Sequence, residues 1–181
     1  STSNTFPVKI GLLVPLTGDV TTYGESTRNG VLMAVEEARE QGWPIDVVIA
    51  DSRCDAQEAS NAANKVVFED GVKYIVGAVC SSASIPVSQL AEAQKILQIS
   101  PASTDPSVTL NEDGTTKQYV FRACYLDTFQ GEVMADLAIE HGAKTAATLY
   151  DVGNDYVKGL AEYSREAYLW ERRQRGRPFP V

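Results

Sequence analysis

Hydroxyl groups are concentrated where this sequence could do chemistry. CSSASIPVSQL places Ser81, Ser82 and Ser84 at the start of an expected helix, and SPASTDP, Ser100 to Pro106, brings a second small hydroxylated run with Ala102, Ser103 and Thr104. A third, PLTGDVTTYGES, offers Thr17, Thr21 and Thr22 with Tyr23 as an aromatic lid. Hydroxyls and backbone NH groups at a helix N-terminus suit a carboxylate or a phosphate, because the helix dipole and the donors act together. The plainer role of such serines is helix capping, and Asp105 with Pro106 could simply start a turn. Nucleophilic catalysis is poorly supplied. His141 is the only histidine, and in EHGAKT it reads as a helix C-terminal residue beside the stop Gly142. No GxSxG elbow surrounds Ser81 or Ser82, and neither GxxxxGK[ST] nor GxGxxG follows the first strand. The three cysteines form no CxxC pair, so neither a metal nor a cofactor is expected.

These loops can act together only if strands deliver them to one edge. VKIGLLVPL, Val8 to Leu16, is an unbroken apolar run of the kind that forms a strand buried on both faces, as in a parallel sheet. A loop through Gly24 follows, then a helix over Ser26 to Gln41 with Val31, Ala34, Val35 and Ala38 at helical spacing. Further strands are expected at Ile45–Asp51, Lys73–Val79, Ile96–Pro101, Tyr119–Cys124 and Lys144–Asp151. Between them come helices at Ala59–Gly71, Ile85–Gln94 and Thr128–His141, a polar surface loop at Asp105–Gln118, and a last helix from about Asn154. The alternation means α/β, a Rossmann-like parallel sheet with helices on both faces and right-handed crossovers. In such a sheet the ligand sits beyond the carboxyl ends of the strands, where all three hydroxylated runs emerge.

The composition is that of an ordinary globular chain of 181 residues, 44% hydrophobic and 22% charged. A net charge of -8 repels polyphosphate and argues against nucleic acid as a partner, and no apolar run approaches the roughly 18 residues of a membrane span. STSNTFPVK carries no charged-then-apolar leader, which fits either a cytoplasmic protein or one whose leader has been removed. The charge is uneven. Residues 1–163 hold 11 basic and 22 acidic residues, whereas Ser164 to Val181 holds five Arg, two Glu and two Pro.

Four ordered segments carry a resemblance: IGLLVPLTGDVTTYGESTRNGVLMAVEEA, DSRCDAQEASNAANKVVFEDGVKYIVGAVCSSAS, ISPASTDPSVT and YDVGNDYVKGLAE. Together they resemble the leucine/isoleucine/valine-binding family of periplasmic substrate-binding proteins of ABC transporters. The resemblance implies two Rossmann-like lobes closing on a small ligand, an extracytoplasmic location and a membrane permease as partner. It further implies that Ser81 and Thr104 hold the α-carboxylate of an amino acid, that the Ala102 carbonyl takes its ammonium with Ser103 in the same segment, and that Tyr23 and Tyr156 wall the pocket. Cys54 and Cys80 match a pair that is disulfide-bonded in some relatives. Bridging that loop would stabilise by roughly 3.5 kcal/mol on the chain-entropy model. Cys124 is left as a small apolar residue.

The division this implies is a first lobe at residues 1–120, a crossing and the start of a second lobe at 121–163, and an atypical Arg/Pro-rich tail at 164–181. Family members run to about twice this length, so the expectation is a truncated form with weak or no binding, a tail foreign to the family, and self-association through uncovered edges. Two other readings stand beside it: a sensory or regulatory ligand-binding domain on the same fold, and an α/β hydrolase using Ser81 or Ser82.

Overall fold

The computed structural model describes residues 7–175. Two compact units form, one from Ser1–Ser103 with Ser107–Cys124, the other from Thr104–Pro106 with Tyr125–Val181. The first is built on five parallel strands, β1 (Val8–Val14), β2 (Ile45–Asp51), β3 (Tyr74–Gly77), β4 (Leu97–Ser100) and β5 (Val120–Arg122), in the order β2-β1-β3-β4-β5. This is the α/β class that the alternation of apolar runs implies. The edge strand β2 is in full register with β1: Val8 to Val14 pair one-for-one with Ile45 to Asp51, so both strands reach the same end of the sheet together.

Helices cover both faces of the sheet. α1 (Thr21–Glu40) lies on one, where Leu12 and Val14 pack with Val31, Val47 and Val76. α2 (Ala56–Asn64), the π-helical turn that continues it (Lys65–Glu69), and α3 (Ser81–Gln94) lie on the other. There Ala59, Ala63, Ala83 and Ala91 present small side chains to Leu13 and Ile75, and these small contacts let two helices sit close to one sheet. The α1 face is incompletely covered. Tyr74, Leu97, Ile99 and Phe121 share it by register and are each more than a third exposed.

Several boundaries differ from expectation: α2 begins at Ala56 rather than Ala59, and β3 and β5 are shorter than Lys73–Val79 and Tyr119–Cys124. α1 begins at Thr21 rather than Ser26, because Gly24 is a helical residue against the chain before it: a Cβ there would lie 1.8 Å from the Pro15 carbonyl oxygen. Its service is close approach, and Tyr23 stands in the first turn of a helix rather than in a loop. α3 begins at Ser81 rather than Ile85, with Pro86 accommodated inside it. The expected strand Lys144–Asp151 is absent, for residues 144–150 pair with no neighbour among the described residues and Leu149 is fully exposed. An apolar run becomes a strand only when a ladder partner takes its NH and C=O groups.

The second unit is a helical pair. α4 (Asp127–Glu140) ends at the cap His141, with Gly142 at φ +77° and the Ala143 NH bonded to the Ala138 carbonyl at 2.9 Å, as expected for its one histidine. α5 (Asp155–Arg175) opens under Asn154, whose Oδ1 accepts the Tyr156 NH at 3.1 Å. It runs unbroken past Ser164, whereas the Pro-containing end of the expected tail, residues 176–181, lies outside the described residues. The helices meet at Gly131, where a Cβ would lie 2.9 Å from the backbone at Tyr163 and Ser164.

Gly77 closes β3 at φ +119°, and a Cβ there would lie 2.1 Å from the Leu13 carbonyl oxygen. Both the left-handed backbone and the clash exclude a side chain. Gly77→Ala is expected to lower stability by about 3 kcal/mol, read as a lower urea midpoint with an unchanged slope.

Candidate functional site

Where parallel strands end, their last carbonyls and the next helix's first NH groups need partners. In the first unit serines supply them. Ser84 Oγ and Ser100 Oγ donate to the Ala78 carbonyl at 2.7 and 2.8 Å, and Ser103 Oγ lies 3.1 Å from the Val79 carbonyl, 3.2 Å from that of Ala78 and 2.6 Å from Ser84 Oγ. The Ser103 NH in turn donates to Ser100 Oγ at 3.1 Å. These three serines are buried, and Gln98 adds a side-chain bond to the Gly77 carbonyl at 2.8 Å. Ser103, expected at the ligand, thus spends its hydroxyl and NH on the scaffold.

A second set of contacts organises the neighbouring loops. Asp51, the last residue of β2, accepts the Thr17 hydroxyl at 2.6 Å and the NH groups of Leu16 and Arg53 at 2.8 and 2.9 Å, joining the ends of β1 and β2. Burial alone would raise its pKa. The hydrogen bonds outweigh that and hold the carboxyl below the ordinary aspartate range. Thr17 is therefore committed to Asp51. The Cys54–Cys80 disulfide is formed, with Cα atoms 5.4 Å apart, and Ser82 Oγ donates to the Cys54 carbonyl at 3.0 Å beside it. Cys124 is half-buried, its Sγ 3.4 Å from the Ser103 carbonyl.

The remaining expected site residues fall as follows. Ser81 is the first residue of α3, buried and preceded by the cap residue Cys80. Ala102 is exposed beyond the end of β4, and Tyr23 is 68% exposed on α1. Ser81, Ser103, Ala102 and Tyr23 therefore all belong to loops or first turns at the carboxyl edge of one sheet. Thr104 and Tyr156 belong to the second unit, where the Thr104 carbonyl accepts the Asp127 NH at 3.1 Å and Tyr156 is half-buried in the first turn of α5. Asp51, Ser100 and Gln98 were not anticipated, although a carboxylate closing an apolar strand directly before two small polar loops was the available signal for Asp51.

A groove of 760 Å³ lies within the second unit, lined by Thr128, Glu132, Asp136, Tyr163, Glu166 and Trp170 among others. It contains none of the expected ligand residues. Burial, reinforced by the carboxylates of Asp105 and Asp127, pushes the Tyr163 phenol up.

A parallel α/β sheet that gathers a helix N-terminus and small polar loops at its carboxyl edge is the architecture in which ligands sit beyond the strand ends. Residues 7–168 match the periplasmic binding protein family model, and the chain belongs to that family. It is 38% identical over 159 residues to the leucine-, isoleucine-, valine-, threonine- and alanine-binding protein of Pseudomonas aeruginosa, which covers 85% of this chain and 41% of that protein. Against the Leu/Ile/Val-binding protein of Escherichia coli the identity is 32%, over 85% of this chain and 42% of that protein. The crystal structure of a leucine-binding protein from Thermotoga maritima superposes with a TM-score of 0.83 at 33% identity, covering 91% of this chain and 46% of that one. The chain thus spans about two fifths of the length of these curated relatives. The family match continues through Ser164 into the segment expected to be foreign to it.

Two outcomes follow for stability. Asp51 contributes stability that is complete above its unfolded pKa and drains away as pH falls through its lowered folded value. Asp51→Asn should therefore cost about 1 to 2 kcal/mol near neutrality and much less in acid, by urea titration at both. Cys54→Ala with Cys80→Ala should lower stability by about 3.5 kcal/mol, read as a lower thermal midpoint insensitive to added reductant.

Proposed function

We propose that the whole protein is the substrate-binding component of an ABC transporter, recognising branched-chain or related small amino acids outside the cytoplasm and passing them to a membrane permease. The observation that carries this reading is the pairing, at one sheet edge, of a helix N-terminus headed by Ser81 with the exposed residue Ala102. Ser84, Ser100 and Ser103 tie both to the same Ala78–Val79 turn. A zwitterion needs donors for its carboxylate next to acceptors for its ammonium, and a helix start beside a backbone carbonyl would supply them. In this assignment Ser81 takes the carboxylate and the Ala102 carbonyl the ammonium, while Ser103 holds the segment between its neighbours. Thr104, Tyr23 and Tyr156 are assigned to the same ligand by family likeness alone. The names of the relatives support aliphatic amino acids as the substrate class. The role is binding without catalysis, and hinge closure on the ligand is the event a permease would read.

The chain by itself offers a part of such a site, so binding is proposed to be weak, and light scattering is expected to show self-association through the exposed sheet face. The direct test follows backbone amide shifts while leucine, isoleucine and valine are each added at millimolar concentration. Shifts are expected at Ser81, Ser82 and Ala102 to Thr104, and Ser81→Ala should reduce the affinity about tenfold. Shifts of equal size with aspartate and lysine, or none at these residues, would contradict the assignment.

A further inference from the structure

The segment that carries Ala102 and Thr104 has little regular structure of its own. From Pro101 to Tyr119 it contains one 3-10 turn, Pro106–Val108, and a single bridge between Leu110 and Thr116. A few backbone bonds hold it, such as the Lys117 NH to the Thr109 carbonyl at 2.8 Å, and side chains add to them. Three charged ones surround it, and none is among the expected ligand contacts.

Glu92 of α3 accepts the NH groups of Gln118 and Tyr119 at 3.0 and 2.9 Å, fixing the returning leg to the helix. Lys117, only 6% exposed, donates from Nζ to Ser88 Oγ at 2.8 Å and to the Ser107 and Val108 carbonyls at 2.7 and 3.3 Å. Burial pushes its ammonium below the ordinary lysine range while Glu92 opposes the shift, and the three oxygens account for its three protons. The third residue is Arg122. Register pairs it with Ser100, so its side chain leaves the sheet beside the strand end from which the segment departs. Its Nη1 donates to the Ser103 carbonyl at 2.9 Å and its Nη2 to Thr109 Oγ1 at 2.7 Å. One planar guanidinium therefore spans the outgoing and returning legs, and the atom it grips on the outgoing leg lies between Ala102 and Thr104.

We propose that Arg122 is a positioning residue for amino-acid recognition, presenting the backbone of Ala102 and Thr104 by clamping Ser103 against Thr109. This rests on the assignment of Ala102 and Thr104 to the ligand made above. The fork matters more than the charge, because an ammonium is a single point that does not reproduce two fixed donors aimed at two oxygens. The clamp acts on the part of the site that meets the carboxylate and ammonium common to all amino acids. Its loss lowers affinity without altering the preference among side chains.

The test compares the 181-residue chain with Arg122→Ala, Arg122→Lys and Thr109→Val by amide hydrogen exchange and by calorimetry with leucine, isoleucine and valine. In both Arg122 variants the Ser103 amide should exchange about tenfold faster, with Thr109→Val intermediate and Leu12 to Val14 in β1 unchanged. Millimolar guanidinium should restore protection at Ser103 in Arg122→Ala and leave the unsubstituted chain as it was. Affinity for the three amino acids should fall by one common factor of about ten. Unchanged exchange at Ser103, acceleration spread evenly over the sheet, or failure of guanidinium to rescue overturns the proposal. Exchange decides the clamp whatever calorimetry shows, and absence of binding by the unsubstituted chain counts against the proposed function instead.

Discussion

The carbonyl of Ala78 is the point on which the binding edge depends. It lies in a fully buried turn directly after β3, out of reach of any ladder partner beyond the strand end, and an unmet carbonyl there would carry a desolvation cost of about 1 to 3 kcal/mol. The solution draws one hydroxyl from α3 and another from the end of β4, with a third from the loop beyond. Satisfying one backbone atom thereby welds the start of a helix to the start of a loop. The proximity of the Ser81 helix start to the Ala102 segment is a by-product of meeting one backbone carbonyl inside the fold.

The same reasoning separates the two units. In the first, apolar side chains alternate onto one covered and one partly covered face, and polar backbone ends are met by side chains. In the second, buried apolar side chains are few: Ala135 and Tyr168 are enclosed, while Phe129, Val133, Met134 and Leu137 of α4 are each about half exposed. What holds its helices is close backbone approach at Gly131 and bonds at the far end, where the Tyr168 hydroxyl donates to the Ala143 carbonyl at 3.0 Å and Arg172 reaches the Lys144 carbonyl. Short-range contacts of that kind order a helix pair without requiring a sheet beneath it.

Much of the first unit was legible because its signals are local. IDVVIAD is bounded by Pro44 and by a polar loop, and it forms a strand over those seven residues. Helix starts were less legible: Gly24 read as a turn residue, yet it sits inside α1 because the bare backbone lets the helix approach Pro15 closely. For the serines, the limit is directional. A row of hydroxyls announces donors and acceptors, but whether each turns inward depends on which carbonyls the sheet leaves unmet, as Ser103 does toward Ala78 and Val79. Lys144 to Asp151 fails for a related reason, since β pairing is a property of two segments and only one was read.

The disulfide carries a topological consequence. With a separation of 26 residues, Cys54 and Cys80 close a covalent ring of 27 that contains α2, the π-helical turn and β3, the middle strand of the sheet. A single break of the backbone inside that ring cannot release either part. The polypeptide before Cys54 holds β1 and β2 and the polypeptide after Cys80 holds β4 and β5, so a nicked molecule keeps all its strands on one covalent framework. Its two pieces part only when the sulfur–sulfur bond is reduced, and the centre of the sheet is thus the segment best insured against proteolytic loss.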